Sequence, residues 1–363
     1  MKKILFLFSI SMIVNCFCAN AQKLKPGFDK REYIELLKLT AKHTNPDFFK
    51  DIPAPDNFKM QYRAPITGLD NAWELWTDKN GAAAISVRGT TAKPVSWLAN
   101  FYAAMVPAQG TIKLSSTSNF QYKLADNPGA AVHAGWLLAL ASMAPDIVQH
   151  IDSCYKAGIK NIYLVGHSQG GGITYLLTAY LYQLQKQKLL PSDIRFKTYC
   201  SAGPKPGNLF FAYDYEAMTQ EGWAFNVVNT SDWVPEVPLS VQTSDDFNEI
   251  NPFRDVKKAI NKLGFPKNIA LRYAYNRMDK PSRRAQRNYK KYLGNIMSKM
   301  VRKNMTGCKK PIFYNSSNYV RTGHYIVLVG DEAYFKKYSD DKMKIFQHHM
   351  PNVYYHLAMS YLK

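Results

Sequence analysis

The chain has 363 residues, of which 46% are hydrophobic and 20% charged, and this composition excludes wholesale disorder, collagen and coiled coil. Lys and Arg number 47 against 27 Asp and Glu, and the formal net charge of +20 predicts an anionic partner. Five cysteines are too few for a disulfide scaffold, and we expect Cys154, Cys200 and Cys308 to be buried apolar side chains.

The first 21 residues have the pattern of a secretory signal peptide. Lys2 and Lys3 precede an apolar run that ends at Phe17, and Ala19-Asn20-Ala21 is a small-x-small cleavage site. An uncleaved anchor is the alternative, whereas a lipid-modified cysteine is disfavoured because no small residue directly precedes either cysteine of this segment. We therefore expect an exported protein, periplasmic or secreted, with a single domain over 22–363.

Residues 24–240 alternate between helical and strand-like patterns. Asp29 has the cap position of a helix to about His43, residues 46–70 hold four prolines and predict an ordered loop, and Asn80-Gly81 predicts a hairpin with a type I′ turn. Helical spacing and short apolar runs then alternate, which predicts a largely parallel sheet with helices on both faces. The predicted segments are strands at 161–165, 195–200 and 223–228, helices at 135–156 and 170–188, and near the end a strand at 324–329 and a helix at 351–362.

Residues 251–310 carry most of the excess positive charge. By count they hold 18 Lys and Arg against two acids, Asp255 and Asp279, a net charge of +16. We interpret the surrounding stretch, about 245–320, as a basic and mainly helical insertion. Tyrosines interleave with the basic residues: Tyr273, Tyr275, Tyr289 and Tyr292.

Gly166-His167-Ser168-Gln169-Gly170 fits the G-x-S-x-G pattern of a nucleophile elbow. It follows an apolar strand and opens a helix, which is the context that gives the pattern its meaning. The serine hydroxyl is then exposed at a sharp turn, with the helix N-terminus facing a developing oxyanion. We therefore predict Ser168 as a nucleophile, with the Gln169 N–H as one oxyanion donor. His167 points elsewhere and is interpreted as a packed core histidine.

Six segments in order resemble the class 3 lipases, the fungal-type lipase group of the α/β-hydrolases. The resemblance covers about residues 70–240 and the C-terminal helix. It implies an α/β-hydrolase fold with a mostly parallel central sheet, and it places the second oxyanion donor at Thr90. Besides the elbow, the segments are Val87-Arg88-Gly89-Thr90, Trp97-Leu98-Ala99-Asn100, Val132-His133-Ala134-Gly135-Trp136, Ala202-Gly203-Pro204-Lys205-Pro206-Gly207-Asn208 and Asn229-Thr230-Ser231-Asp232-Trp233-Val234-Pro235.

The acid and the base of a catalytic triad must follow the serine. Asp232 comes after a strand in the chain order Ser…Asp…His, and its neighbours match the acid segment of the family. His349 resembles the catalytic histidine of the family, where a tyrosine follows five residues later. His324 and His348 are the alternative bases, in that order. The interval of 117 residues from Asp232 to His349 is longer than the family pattern, and the basic insertion fills it.

Residues 97–105 predict one apolar helical face. It is either a core helix or, by position and resemblance, a lid over an acyl cleft. The residues of this face are Trp97, Leu98, Phe101, Tyr102 and Met105.

The basic insertion favours peripheral contact with an anionic membrane. Nucleic acid is disfavoured because no nucleic-acid-binding motif occurs and exported proteins rarely meet it. A solvated cap over the mouth of the active site is the alternative interpretation of 251–310.

The sequence as a whole predicts an exported serine hydrolase that cleaves carboxylic esters of lipids, either acylglycerols or phospholipids. No H-E-x-x-H or C-x-x-C pattern occurs, and we expect neither metal nor cofactor. Two alternatives stay open: a non-catalytic, lipase-like binding protein, and an esterase or acyltransferase that acts on non-lipid esters.

Overall fold

A computed structural model of the chain describes residues 24–44 and 51–361. The predicted signal peptide, 1–21, lies outside these residues. Within the described ranges, no helix is both long and apolar enough to cross a membrane. The single domain over 22–363 and its insertion at about 245–320 stay predictions.

The described chain contains eleven strands and ten α-helices, numbered in chain order. The strands are β1 (Phe58–Arg63), β2 (Trp73–Asp78), β3 (Ala82–Val87), β4 (Met105–Pro107), β5 (Gln109–Lys113), β6 (Asn119–Lys123), β7 (Ala131–His133), β8 (Asn161–His167), β9 (Arg195–Ser201), β10 (Ala224–Asn229) and β11 (His324–Leu328). The helices are α1 (Lys30–Thr44), α2 (Pro94–Phe101), α3 (Ala134–Lys156), α4 (Gln169–Lys186), α5 (Leu209–Met218), α6 (Val256–Asn261), α7 (Lys267–Tyr289), α8 (Met297–Asn304), α9 (Glu332–Lys337) and α10 (Pro351–Tyr361).

The central sheet has seven strands in the order β1-β2-β3-β8-β9-β10-β11. Five neighbouring strands, β3, β8, β9, β10 and β11, run parallel. At the other edge β2 pairs antiparallel with both β1 and β3. One core packs α3 and α4 against one face, and a second core packs α1 and α10 against the other. The predicted α/β-hydrolase architecture, a mostly parallel sheet covered by helices on both faces, is therefore confirmed.

Two local predictions near the start of the sheet are wrong. The hairpin at Asn80-Gly81 forms, but only Gly81 has a positive φ, of 81°, so the turn is not type I′. The Asp78 carboxylate accepts hydrogen bonds from the N–H groups of Asn80 and Ala82 at 2.9 and 2.7 Å and sets a different turn. The expected loop at 46–70 contains β1, an edge strand whose pattern is obscured because most of its side chains face solvent.

The predicted apolar helix at 97–105 ends early, at Phe101. The Ala104 N–H donates to the Leu293 carbonyl at 3.2 Å, and Met105 begins β4 and pairs with His133 of β7. Tyr102 and Met105 are therefore buried outside α2, and their assignment to one helical face with Trp97, Leu98 and Phe101 is wrong. Hydrogen bonds to residues far away in sequence end the helix, and the local spacing of apolar residues cannot predict such bonds.

Residues 256–304 form α6, α7, a π-helical segment (Lys290–Ile296) and α8. Leu293, in the middle of the π-helical segment, contacts the residues that follow α2, because its carbonyl accepts a hydrogen bond from the Ala104 N–H. The first half of α7 is exposed to solvent on nearly all of its surface.

Candidate active site

Ser168 stands at a sharp turn between the end of β8 and the first residue of α4. Its φ of 61° and ψ of −129° lie in a region that L-residues rarely adopt, and such strain is concentrated at functional sites. The flanking glycines permit the turn. A Cβ at Gly166 would lie 2.3 Å from the Gly170 backbone, and a Cβ at Gly170 would lie 2.3 Å from the Val87 carbonyl oxygen. The local sterics therefore account for the G-x-S-x-G spacing.

Thr90 and Gln169 lie beside Ser168 on the wall of the same cavity. Gln169 is the first residue of α4, so its N–H has no partner within the helix. Asn100 organises the side chains around them. Its Oδ1 accepts from Gln169 Nε2 at 2.8 Å and from Trp136 Nε1 at 3.2 Å, so its Nδ2 donates to Thr90 Oγ1 at 2.9 Å. The Thr90 hydroxyl hydrogen is left free to point elsewhere.

Asp232 and His349 form a buried pair at the C-terminal edge of the sheet. His349 Nδ1 lies 2.7 Å from Asp232 Oδ2, and both side chains are buried. The Val234 N–H donates to the other carboxylate oxygen at 2.9 Å. In the described part of the chain no hydrogen bond joins His349 to Ser168, but both line one cavity, and such bonds commonly tighten only with substrate.

Tyr354 and Asn229 support this pair from behind. The Tyr354 hydroxyl donates to Asp232 Oδ2 at 2.7 Å and accepts from the Asn229 N–H at 3.1 Å. Burial, followed by the Asp232 charge, holds the pKa of Tyr354 well above its usual range, so the hydroxyl remains a donor. Asn229 Nδ2 in turn donates to the His348 carbonyl at 3.0 Å and fixes the turn before His349.

His167 contacts the backbone of His349. Its Nε2 lies 2.8 Å from the His349 carbonyl oxygen, and its Nδ1 lies 3.0 Å from Ser201 Oγ. Burial, with a smaller contribution from the neighbouring His349, lowers the pKa of His167 to about 3. The ring is therefore neutral near pH 7, and with Nε2 protonated it donates to the turn that carries His349.

A cavity of about 510 Å³ opens at Ser168, a volume within the usual range for small-molecule sites. Trp97 stacks on Phe101 with ring centroids 6.2 Å apart and contacts Phe346 at 6.0 Å, so aromatic rings form much of one wall. Leu98 lines an adjoining, more open groove, whose lining shares Trp97 and Phe101 with the cavity. The largely apolar wall of the cavity includes Trp97, Phe101, Trp233, Val237, Leu239, Tyr289, Leu293 and Phe346.

Comparison with known proteins finds one family model. Residues 84–242 match the family model described as lipase, class 3. Over these residues, which are less than half of the chain, the sequence is similar to the class 3 lipases. The matched segment contains Ser168 and Asp232 but ends before His349.

Solved structures of fungal lipases resemble the chain at low identity. The lipase–propeptide complex of Rhizomucor miehei is 20% identical over 59% of this chain and 65% of its own, with a TM-score of 0.43. The Penicillium expansum triacylglycerol lipase is 17% identical over 58% of this chain and 75% of its own, with a TM-score of 0.43. Lipase II of Rhizopus niveus is 21% identical over 58% of this chain and 74% of its own, with a TM-score of 0.42. The chain thus spans slightly less than two thirds of the first of these structures. No curated protein matches it.

The two alternative bases, His348 and His324, lie elsewhere. His348 has both ring nitrogens engaged, with the Tyr334 hydroxyl at 2.6 Å and the Asp340 carboxylate at 3.0 Å. His324 begins β11 opposite Phe225 and is exposed at the start of a parallel strand. Through β10 and β9 the register sets His324 level with Val165, which lies about 10 Å before Ser168 along β8, and two strands, β9 and β10, separate β11 from β8. Neither alternative fits the geometry of a base.

The sequence predicts no role for Asn100, and it predicts His167 as a packed core residue. The sequence feature that indicates a role for Asn100 is its polarity, since it follows the apolar residues Trp97-Leu98-Ala99 in a helical segment. His167 offers no such feature, because its bond to the His349 carbonyl spans 182 residues. In the described residues Cys154, Cys200 and Cys308 are buried free thiols, and no group of three metal-ligating side chains occurs.

Proposed function

We propose that this chain is an exported serine hydrolase that cleaves carboxylic ester bonds of lipids, either acylglycerols or phospholipids. The observation that carries the proposal is the buried bond of 2.7 Å between Asp232 and His349 at the wall of an apolar cavity that also contains Ser168. A binding protein without activity has no need of a buried carboxylate–imidazole pair beside a strained serine.

Ser168 acts as the nucleophile and His349 as the base. Asp232 accepts the Nδ1–H of His349, which leaves Nε2 as the basic nitrogen that takes the Ser168 hydroxyl proton. The serine oxygen attacks the ester carbonyl carbon, and a tetrahedral intermediate forms with the negative charge on the former carbonyl oxygen. His349 returns its proton to the leaving alcohol as the ester bond breaks and an acyl-enzyme remains. Water, deprotonated by His349, then attacks the acyl-enzyme and releases the carboxylic acid and Ser168.

Thr90 and Gln169 stabilise the oxyanion. The Gln169 N–H at the start of α4 is one donor, and the Thr90 hydroxyl, held by Asn100, is the other. Removal of one such donor typically raises the barrier by about 2.7–4 kcal/mol. The apolar wall of the cavity supports an acyl chain as the part of the substrate that it holds.

Labelling with a fluorophosphonate probe tests the nucleophile. We expect the wild-type protein to react and Ser168→Ala to be inert, whereas Ser153→Ala, a change of an exposed serine on α3, leaves labelling intact. Labelling of Ser168→Ala, or none of the wild type, would falsify the proposal. A series of esters of increasing acyl length then separates a lipase from an esterase on short, non-lipid esters. Acyl transfer to an added alcohol in place of water would indicate an acyltransferase.

We further propose roles for α2 and for the surface. Trp97, Leu98 and Phe101 form a lid that shields the cavity in water, supported by the contacts of Trp97 and Phe101 with the cavity.

Residues 251–310 contact an anionic membrane, supported by their charge. The leader at 1–21 directs export, and detection of the mature N-terminus in the periplasm or medium tests that role.

A further inference from the structure

The basic residues of 251–310 are mostly without acidic partners. Of the 18 Lys and Arg in this region, four form ion pairs in the described structure: Arg254, Lys257, Lys258 and Arg283. Both acids of the region are already engaged, Asp279 by Arg283 and Lys257 and Asp255 by Lys258. The remaining 14 cationic side chains have no acidic partner among the described residues, so their charge is available to another molecule.

Large apolar side chains stand among these free charges. Phe265 is 82% exposed just before α7, and Ile269 and Tyr273 follow at intervals of four residues with 59% and 65% exposure. Residues four apart lie on one face of a helix, so Ile269 and Tyr273 project together. Arg272, Arg277 and Lys280, all exposed and without an acidic partner, lie beside them, and the Arg277 guanidinium lies 5.7 Å from the centre of the Tyr273 ring. An apolar strip with cationic flanks is typical of a helix that lies at a membrane interface.

The far end of α7 reaches the catalytic cavity. Tyr289, its last residue, lines that cavity, and so does Leu293 in the π-helical segment that follows. Two apolar residues on the cavity wall, Phe101 and Leu239, are themselves 53% and 77% exposed. Ile269 lies about 30 Å from Tyr289 along the helix, so a flat surface that binds along the whole of α7 extends to the mouth of the cavity.

We infer that the first half of α7, with Phe265, is a docking element for anionic phospholipid bilayers that holds the cavity mouth at the lipid surface. The inference rests on the proposed function, since it assigns a partner to the same site. The unpaired cations bind the lipid phosphates, and Phe265, Ile269 and Tyr273 enter the boundary between headgroups and acyl chains. Nucleic acid would satisfy the charges but would leave Phe265 and Ile269 exposed to water, so the combination favours lipid.

Vesicle sedimentation tests the docking element apart from catalysis. The protein carries Ser168→Ala to prevent hydrolysis, and the vesicles are phosphatidylcholine with or without phosphatidylglycerol. Because each Lys or Arg near an anionic surface strengthens binding about fivefold, the triple change Arg272→Gln, Arg277→Gln, Lys280→Gln weakens binding about a hundredfold. Phe265→Ser with Ile269→Ser weakens the binding that persists at high salt.

The matched control removes three exposed cations outside residues 251–310, by Arg31→Gln, Lys59→Gln and Lys79→Gln, and leaves binding within a few fold. Equal loss in both triple variants, binding independent of phosphatidylglycerol, or tighter binding to a single-stranded oligonucleotide than to the anionic vesicles overturns the inference.

Hydrolysis of a short, soluble ester by the α7 triple variant with Ser168 intact separates the two proposals. Full activity with lost vesicle binding supports the docking element. Absence of this activity in the wild type refutes the proposed function and leaves the vesicle result to stand independently.

Discussion

Replacement of Tyr354 by Phe removes the hydroxyl that donates a hydrogen bond to Asp232 and tests what this bond contributes. The hydroxyl makes two hydrogen bonds in a site with no solvent exposure, one to a carboxylate oxygen and one from the Asn229 N–H. A hydrogen bond to a charged group contributes about 1.5–3 kcal/mol, and a buried N–H left without a partner costs about 1–3 kcal/mol. We therefore expect Tyr354→Phe to lower the free energy of unfolding by about 4 kcal/mol.

Urea denaturation measures this loss, and Tyr175→Phe is the matched control. Tyr175 is equally buried, and its hydroxyl donates to one neutral acceptor, the Thr322 carbonyl, at 2.9 Å. That change costs about 1 kcal/mol. The kcat for a soluble ester falls about tenfold in Tyr354→Phe alone, since Asp232 loses one of its three donors. Equal destabilisation by the two changes, or no effect of Tyr354→Phe on kcat, would refute this account of the acid.

Three further predictions concern the cavity and pH. Asn100→Leu removes the donor to Thr90 Oγ1, and we expect kcat for a soluble ester to fall about tenfold with KM nearly constant; a kcat within twofold of wild type contradicts the role of Asn100. If α2 is a lid, the rate on a long-chain ester jumps as substrate passes its solubility limit, and a smooth saturation curve argues against a lid. Buried histidines whose pKa is lowered to about 3 bind no proton in the folded state between about pH 3 and 6.5, but they do so when unfolded. The contribution of these histidines to the free energy of unfolding is therefore fully present above about pH 6.5. It falls below that pH, by about 4 kcal/mol in total at about pH 5.5. A free energy of unfolding that is equal at about pH 7.5 and 5.5 contradicts this. The three histidines are His43, His133 and His167.

The parts of the fold that depend on local sterics and periodicity could be predicted from the sequence. The elbow around Ser168 is one, because the glycine positions follow from contacts within a few residues and with one neighbouring strand. The parallel sheet is another, because apolar strands and amphipathic helices alternate along 135–228. The end of α2 could not be predicted, since the bond from the Ala104 N–H to the Leu293 carbonyl joins residues far apart in sequence.

The candidate site could be predicted only in part for the same reason. His348 and His349 are adjacent, and only the partners of their ring nitrogens distinguish them: Tyr334 and Asp340 for one, Asp232 for the other. His324 had the correct chain order, but two strands, β9 and β10, separate β11 from β8. Resemblance, not spacing, favoured His349 over both alternatives.

The turn that carries His349 is fastened at two points to the sheet. His167, at the end of β8, lies 2.8 Å from the His349 carbonyl, and Asn229, at the end of β10, donates to the His348 carbonyl at 3.0 Å. The 117 residues between Asp232 and His349 therefore leave and return to a rigid frame. Insertions, deletions and charge changes within that excursion can therefore occur without moving the imidazole, so its surface can vary separately from the Asp232–His349 pair.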